Sequence, residues 1–154
     1  MTTPGARSGI EDIFPLSPVQ AGMLFQLLDQ PGGVFMGQLS CELRGRLDPG
    51  AFARAWQAAV DRHPVLRAGI AWEGLRQPQH VVCKHVRAPV DLLDWRDRPP
   101  AEHPAALDRL LRERRAVRPD LRRPPLLTLA LVRLDDARWH LIWTYPQLLL
   151  DGWS

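Results

Sequence analysis

The residues whose types could support chemistry are five histidines, two cysteines and an Asp-Gly pair near the C-terminus. The pair stands in Tyr145-Pro146-Gln147-Leu148-Leu149-Leu150-Asp151-Gly152-Trp153-Ser154. Gln147 carries an amide, which has no titratable proton near neutral pH, so it cannot act as a general base. His140 lies on the strand leading into this segment, outside the turn that would present a reacting side chain. His63 belongs to Arg62-His63-Pro64-Val65-Leu66-Arg67. His80, His85 and His103 fall on a predicted strand, at its end and in a loop, where ordinary surface or satisfied histidines outnumber bases. Cys41 and Cys83 are far apart with no partner spacing, which argues against a metal site.

The elements that must position these residues alternate between helix and strand. Ser17-Pro18-Val19-Gln20 is a helix start: Ser17 caps, Pro18 fits the first turn and Gln20 reaches back. Val19, Met23, Leu24 and Leu27 fall on one face, and Pro31-Gly32-Gly33 ends the helix. Leu39, Cys41 and Leu43 alternate with Ser40, Glu42 and Arg44 as in a half-buried strand. Asp48-Pro49 opens a helix with Phe52, Trp56, Ala59 and Val60 inward, and His63-Pro64 stops it. Leu66 to Trp72 and Gln79 to Val86 read as strands. A helix over about Ala105 to Val117 turns Leu107, Leu110 and Leu111 inward. Strands from Leu126 to Leu134 and from Arg138 to Thr144 flank the Asp135-Asp136 turn. The order is α-β-α-β-β-α-β-β, an α+β layer of helices on a mixed sheet.

At 154 residues, 45% of them hydrophobic, the chain can build one domain with its own core. No apolar run is long enough to span a bilayer. Residues 1–9 lack an apolar signal stretch and read as a short disordered lead at the true start of a polypeptide. The expected compartment is the cytoplasm, with both cysteines reduced. Net charge is +3, and Lys84 is the only lysine. The densest cluster, Arg109, Arg112, Arg114, Arg115, Arg118, Arg122 and Arg123, is interrupted by Asp108, Glu113 and Asp120 and carries no interleaved aromatics. A solvated helix face fits this pattern better than a nucleic-acid surface.

Several segments together resemble the condensation domains of nonribosomal peptide synthetases. The opening Phe14-Pro15-Leu16-Ser17-Pro18-Val19-Gln20-Ala21-Gly22-Met23-Leu24-Phe25 is similar to that family's first motif. Arg62-His63-Pro64-Val65-Leu66-Arg67 matches its Arg-His-x-x-Leu-Arg motif. Asp94-Trp95-Arg96 and Pro125-Leu126-Leu127 follow in the family's order. The last segment resembles the signature His-His-x-x-x-Asp-Gly, with Asp151 and Gly152 intact. Pro146 and Gln147 replace the two histidines. Thr128 stands where the family usually has arginine, and Arg118-Pro119-Asp120-Leu121 where it has Gly-Phe-Asp-Leu.

The resemblance implies half of a two-lobed, chloramphenicol-acetyltransferase-like fold, with residues 10–154 as a truncated N-terminal lobe. It implies a reaction in which an amine on one carrier protein attacks a thioester on another, each tethered by phosphopantetheine. No cofactor or metal of the chain's own is implied. The second signature histidine would accept a proton or position the amine, the glycine would offer a backbone N–H to the oxyanion, and the aspartate would order the loop through an arginine, here Arg62 or Arg67. With Gln147 in place of the base, the favoured expectation is a non-catalytic structural or docking element for a peptidyl carrier protein or a neighbouring synthetase domain. One alternative is an amide-forming enzyme active with a complementary C-terminal half, Gln147 positioning the amine. The other is a remnant without a role. Leu148, Leu149 and Leu150 either form an exposed apolar patch open to self-association or pack inward.

Overall fold

A computed structural model describes residues 9–29 and 35–150. The chain runs β1 (Ile10–Pro15), α1 (Pro18–Asp29), β2 (Met36–Arg44), α2 (Pro49–Arg62), β3 (Ala68–Ala71), β4 (Gln79–Cys83), β5 (Val90–Asp94), α3 (His103–Ala116), β6 (Thr128–Arg133) and β7 (Arg138–Pro146). The strands form two sheets, one of three strands in the order β1-β4-β3 and one of four in the order β2-β7-β6-β5.

The helix starts follow from their caps. The Ser17 hydroxyl accepts from the Gln20 N–H at 3.2 Å, and Gln20 Oε1 accepts from the Ser17 N–H at 2.9 Å, a reciprocal capping box. Asp48 caps α2 by accepting from the Gly50 N–H at 2.8 Å, with Pro49 in the first turn. That helix ends at His63, before Pro64, as the pre-proline restriction requires. Pro31-Gly32-Gly33 lies outside the described residues, as do residues 1–8 of the expected lead.

Two strands escape the sequence pattern. β1 carries Glu11 and Asp12 and is exposed along nearly its whole length, so no hydrophobic alternation marks it. Backbone pairing to β4 makes it a strand, with Phe14 opposite His80. β5 pairs in parallel with β6, and α3 crosses between them, as a parallel connection demands. Val19 departs from the expected helix face. It is 68% exposed, while Leu24 is the buried residue of α1 and Met23 and Leu27 are partly covered.

The core has two centres. One lies between α1 and the small sheet, where Leu16, Leu24, Ile70, Val82, Leu126 and Leu148 pack together. The other lies between α2 and the large sheet and contains Val60, Leu66, Leu127, Leu129 and Leu141. A run of rings, Phe52, Trp56, Trp143 and Tyr145, links α2 to the last turn of β7, with Trp56 and Trp143 in edge contact at 5.2 Å between ring centres. Gly37 pairs with Tyr145, and a Cβ there would fall 2.6 Å from its ring. A larger residue at Gly37 would require the Tyr145 ring to shift from this contact.

Candidate functional site

β7 delivers the signature segment. Pro146 is its last residue, buried opposite Met36 on β2. The chain then turns: the Leu149 N–H donates to the Pro146 carbonyl at 3.0 Å, and the Gln147 N–H donates to the Phe35 carbonyl at 2.7 Å. Gln147 is the exposed residue of this turn. Phe35 holds φ at 62°, a left-handed conformation unusual for a bulky residue. Such backbone strain persists where the surroundings enforce it, and here Phe35 anchors the turn.

Leu148 and Leu149 pack inward. Leu148 is 1% exposed in the core behind α1, and Leu149 is buried beside it. Of the two arrangements open for the leucine run, inward packing is the one seen at these two residues, and Leu150 is half-buried against the same core. Gln20 Nε2 donates to the Leu148 carbonyl at 3.0 Å. Asp151 and Gly152 lie outside the described residues, so the structure does not place their carboxylate and backbone N–H.

Among the described residues Arg67 is a buried arginine. Its side chain is 5% exposed and meets the 43% exposed Glu11 at 2.6 Å. Nε donates to the Val60 carbonyl at 3.2 Å, and Nη1 also donates to the Cys83 carbonyl. One guanidinium thus ties β1, α2 and β4 together. Its hydrogen bond holds the Glu11 carboxyl below the usual carboxylate range. Arg62, the other expected partner of Asp151, is exposed at the end of α2. Glu11 carries no sequence signal for this role. It is an acidic residue in an ordinary run, brought to Arg67 only by the pairing of β1.

The histidines stand apart from the turn. His140 lies on β7 opposite Glu42, about 20 Å along the strand from Pro146 at the usual strand rise. Its Nε2 is 2.7 Å from the Ser40 hydroxyl, and burial lowers its pKa. His63 and His85 are exposed. His103 opens α3 and does not sit in a loop; it is buried, with Nε2 3.1 Å from the Arg98 carbonyl. Asp94-Trp95-Arg96 is also structural, closing the bend after β5. The Arg96 guanidinium lowers the Asp94 carboxyl to about 2.

His80 is buried beneath the Phe14 ring, 4.8 Å between ring centres, and among the described residues its Nδ1 has no hydrogen-bond partner. Burial holds its pKa below the ordinary 6.5. The unfolded chain therefore takes up the proton first as pH falls. His80 leaves stability intact above the unfolded value and removes it as pH drops from there toward the lower folded value. Urea midpoints should fall as pH drops below the ordinary histidine value of about 6.5, and His80→Phe should flatten that part of the fall. An unchanged slope in the variant would assign the dependence to other groups.

An open cleft of about 450 Å³ is lined by Leu27, Leu28, Met36, Trp72, Val117 and Leu121, and no residue of the Pro146–Leu150 turn lines it. Charged residues at its rim include Arg122, paired with Asp120 at 3.0 Å. Among the described residues no group of three or more His, Cys, Asp or Glu side chains is placed to hold a metal ion. No helix among them is long and apolar enough to cross a membrane. Of the arginine cluster, Arg114 pairs with Asp91 at 2.6 Å, while Arg109, Arg112 and Arg115 face solvent.

A strand that ends in a buried proline and a turn presenting a glutamine define the site. The condensation domain family model matches residues 10–154, and so takes in the whole signature segment. The chain belongs to the condensation domains of nonribosomal peptide synthetases. This condensation domain is 42% identical over 146 residues to a linear gramicidin synthase of Brevibacillus parabrevis, covering 94% of the chain and 3% of that relative. It is similar to the solved tallysomycin biosynthesis protein TlmII, with a TM-score of 0.79 and 26% identity, over 92% of this chain and 35% of that one. The starter condensation domain of rhizomide synthetase RzmA superposes with a TM-score of 0.80 at 22% identity, over 93% of this chain and 36% of that one, and shows the fold alone. The fold is thus the chloramphenicol-acetyltransferase-like one. The chain spans a few hundredths of the curated relative and about a third of these solved chains.

Proposed function

We propose that this condensation domain segment is a non-catalytic structural or docking element of a nonribosomal peptide synthetase, working in the cytoplasm. The observation that carries the reading is Gln147 at the exposed tip of the signature turn, directly after a buried Pro146. Neither side chain takes up a proton near neutral pH. No histidine of the described fold stands in for them, since His140 lies far back along β7 and is engaged by Ser40. The turn is otherwise well held, which is what a retained scaffold needs. In this reading Asp151 and Gly152 keep the shape of the loop. The engagement of Arg67 by Glu11 favours Arg62 as the aspartate's partner.

The outer face of α1 supports docking. The helix has no charged residue before Asp29, and Val19 and Phe25 are 68% and 69% exposed. Ile13 and Phe14 on β1 are exposed apolar side chains as well. Exposed apolar patches mark interaction sites. The partner is a peptidyl carrier protein or an adjoining synthetase domain. Any phosphopantetheine arm would arrive with that partner as substrate.

A second reading rests on the share of the solved relatives covered, 35% for the tallysomycin protein. In it the chain condenses amines with thioesters when joined by a complementary C-terminal part, Gln147 orienting the amine. Two loaded carrier proteins, offered with and without Gln147→His, separate the readings. The docking reading predicts measurable carrier binding and no amide product from either form. Product from the unaltered chain once a C-terminal part is added would establish the second reading instead.

A further inference from the structure

We propose that Gln20 is a positioning residue for the signature turn, its side-chain amide coupling the start of α1 to that turn. The proposal rests on the reading of the Pro146–Leu150 stretch as the site. The two ends of the Gln20 amide do different work. Oε1 accepts from the Ser17 N–H at 2.9 Å and completes the capping box. Nε2 donates to the Leu148 carbonyl at 3.0 Å, across 128 residues of sequence.

Glutamate and glutamine serve a capping box equally, because only the acceptor oxygen is used there. The bond to Leu148 needs a donor, which a carboxylate lacks. The amide at Gln20 is therefore the feature that joins helix and turn. The Leu148 carbonyl belongs to the peptide plane joining Leu148 to Leu149, one plane beyond those flanking Gln147, so holding it fixes the turn that carries Gln147 and not that side chain directly. It also links the apolar face of α1 to the site: whatever settles on that face bears on the helix whose first turn holds the signature.

The jobs separate by substitution in the full chain. Gln20→Glu keeps the cap and abolishes the donor. Ser17→Ala removes the hydroxyl cap and leaves the donor in place. Amide hydrogen exchange reads both, with the Gln147 and Leu149 N–H groups reporting on the turn. Gln20→Glu should speed exchange at these two amides about tenfold, the worth of one hydrogen bond, with the first turn of α1 unaffected. Ser17→Ala should speed exchange at the Gln20 N–H and leave the turn alone. Equal acceleration throughout either variant, or an unchanged turn in a folded Gln20→Glu protein, overturns the proposal.

A measurement on the unaltered chain covers the case in which the variants unfold. The Gln20 side-chain amide protons should exchange slowly and show nuclear Overhauser contacts to Leu148 and Leu149. Rapid exchange without those contacts overturns the proposal equally. None of these readouts depends on whether the chain binds a carrier or forms an amide, so failure here leaves the functional reading standing.

Discussion

Replacing Arg67 with methionine is expected to lower the free energy of unfolding by about 3 kcal/mol, the combined cost of leaving buried carbonyls unpaired. The methionine fills the volume of the arginine stem, but the Val60 and Cys83 carbonyls lose their donor. Glu11 is 43% exposed and can turn to water, so its loss of a partner contributes little. Glu11→Gln should for that reason cost far less than the Arg67 change. The effect should also be local in character. β1 is exposed along its outer side and is held by its ladder to β4 and by this guanidinium. Hydrogen exchange at β1 amides should rise before global unfolding begins. A urea midpoint that moves no more in Arg67→Met than in Glu11→Gln would show that the guanidinium does not organise this junction.

Truncation of Leu148 to alanine is the second large effect, expected at about 3 kcal/mol from lost burial and the cavity left behind. Leu148 is 1% exposed and packs with Leu16, Leu24 and Leu126. It also sits inside the signature turn, so the loss should loosen the Gln147 loop along with the core. Leu150→Ala, at a half-buried position on the same core, should cost distinctly less. Comparable losses at both positions would mean that the turn is not anchored through Leu148. Leu148 and Leu149 of the signature segment are thus part of the hydrophobic core, which ties the shape of this turn to the stability of the fold.

Local rules made much of this fold legible. Ser17 and Gln20 form the capping box that their spacing implies. Asp48-Pro49 and His63-Pro64 bound α2 where cap chemistry and the pre-proline restriction place its ends. The Asp135-Asp136 turn joins antiparallel β6 and β7. What escaped was set by distant partners. β1 has no alternation because water covers most of it, and β5 gains its identity from β6, which follows only after α3. Val19 fits the apolar stripe by spacing yet faces outward, since α1 is apolar on more sides than its core contact uses.

The site divides in the same way. That Gln147 follows the last strand and lacks a titratable group is plain from residue type. The inward packing of Leu148 and Leu149 was one of two open alternatives, because a run of three leucines has no periodicity to choose a face. The pairing of Arg67 with Glu11 and the second bond of Gln20 span long sequence separations. No local pattern encodes either contact.

The central claim is that the signature turn presents an amide where the chemistry needs a proton acceptor. It is tested most directly by single-turnover peptide formation between two aminoacyl-loaded carrier proteins mixed with the unaltered chain. The account predicts no product above the uncatalysed background at any pH across the range where histidine titrates. Product formed at a catalysed rate, rising with pH through that range, would contradict it.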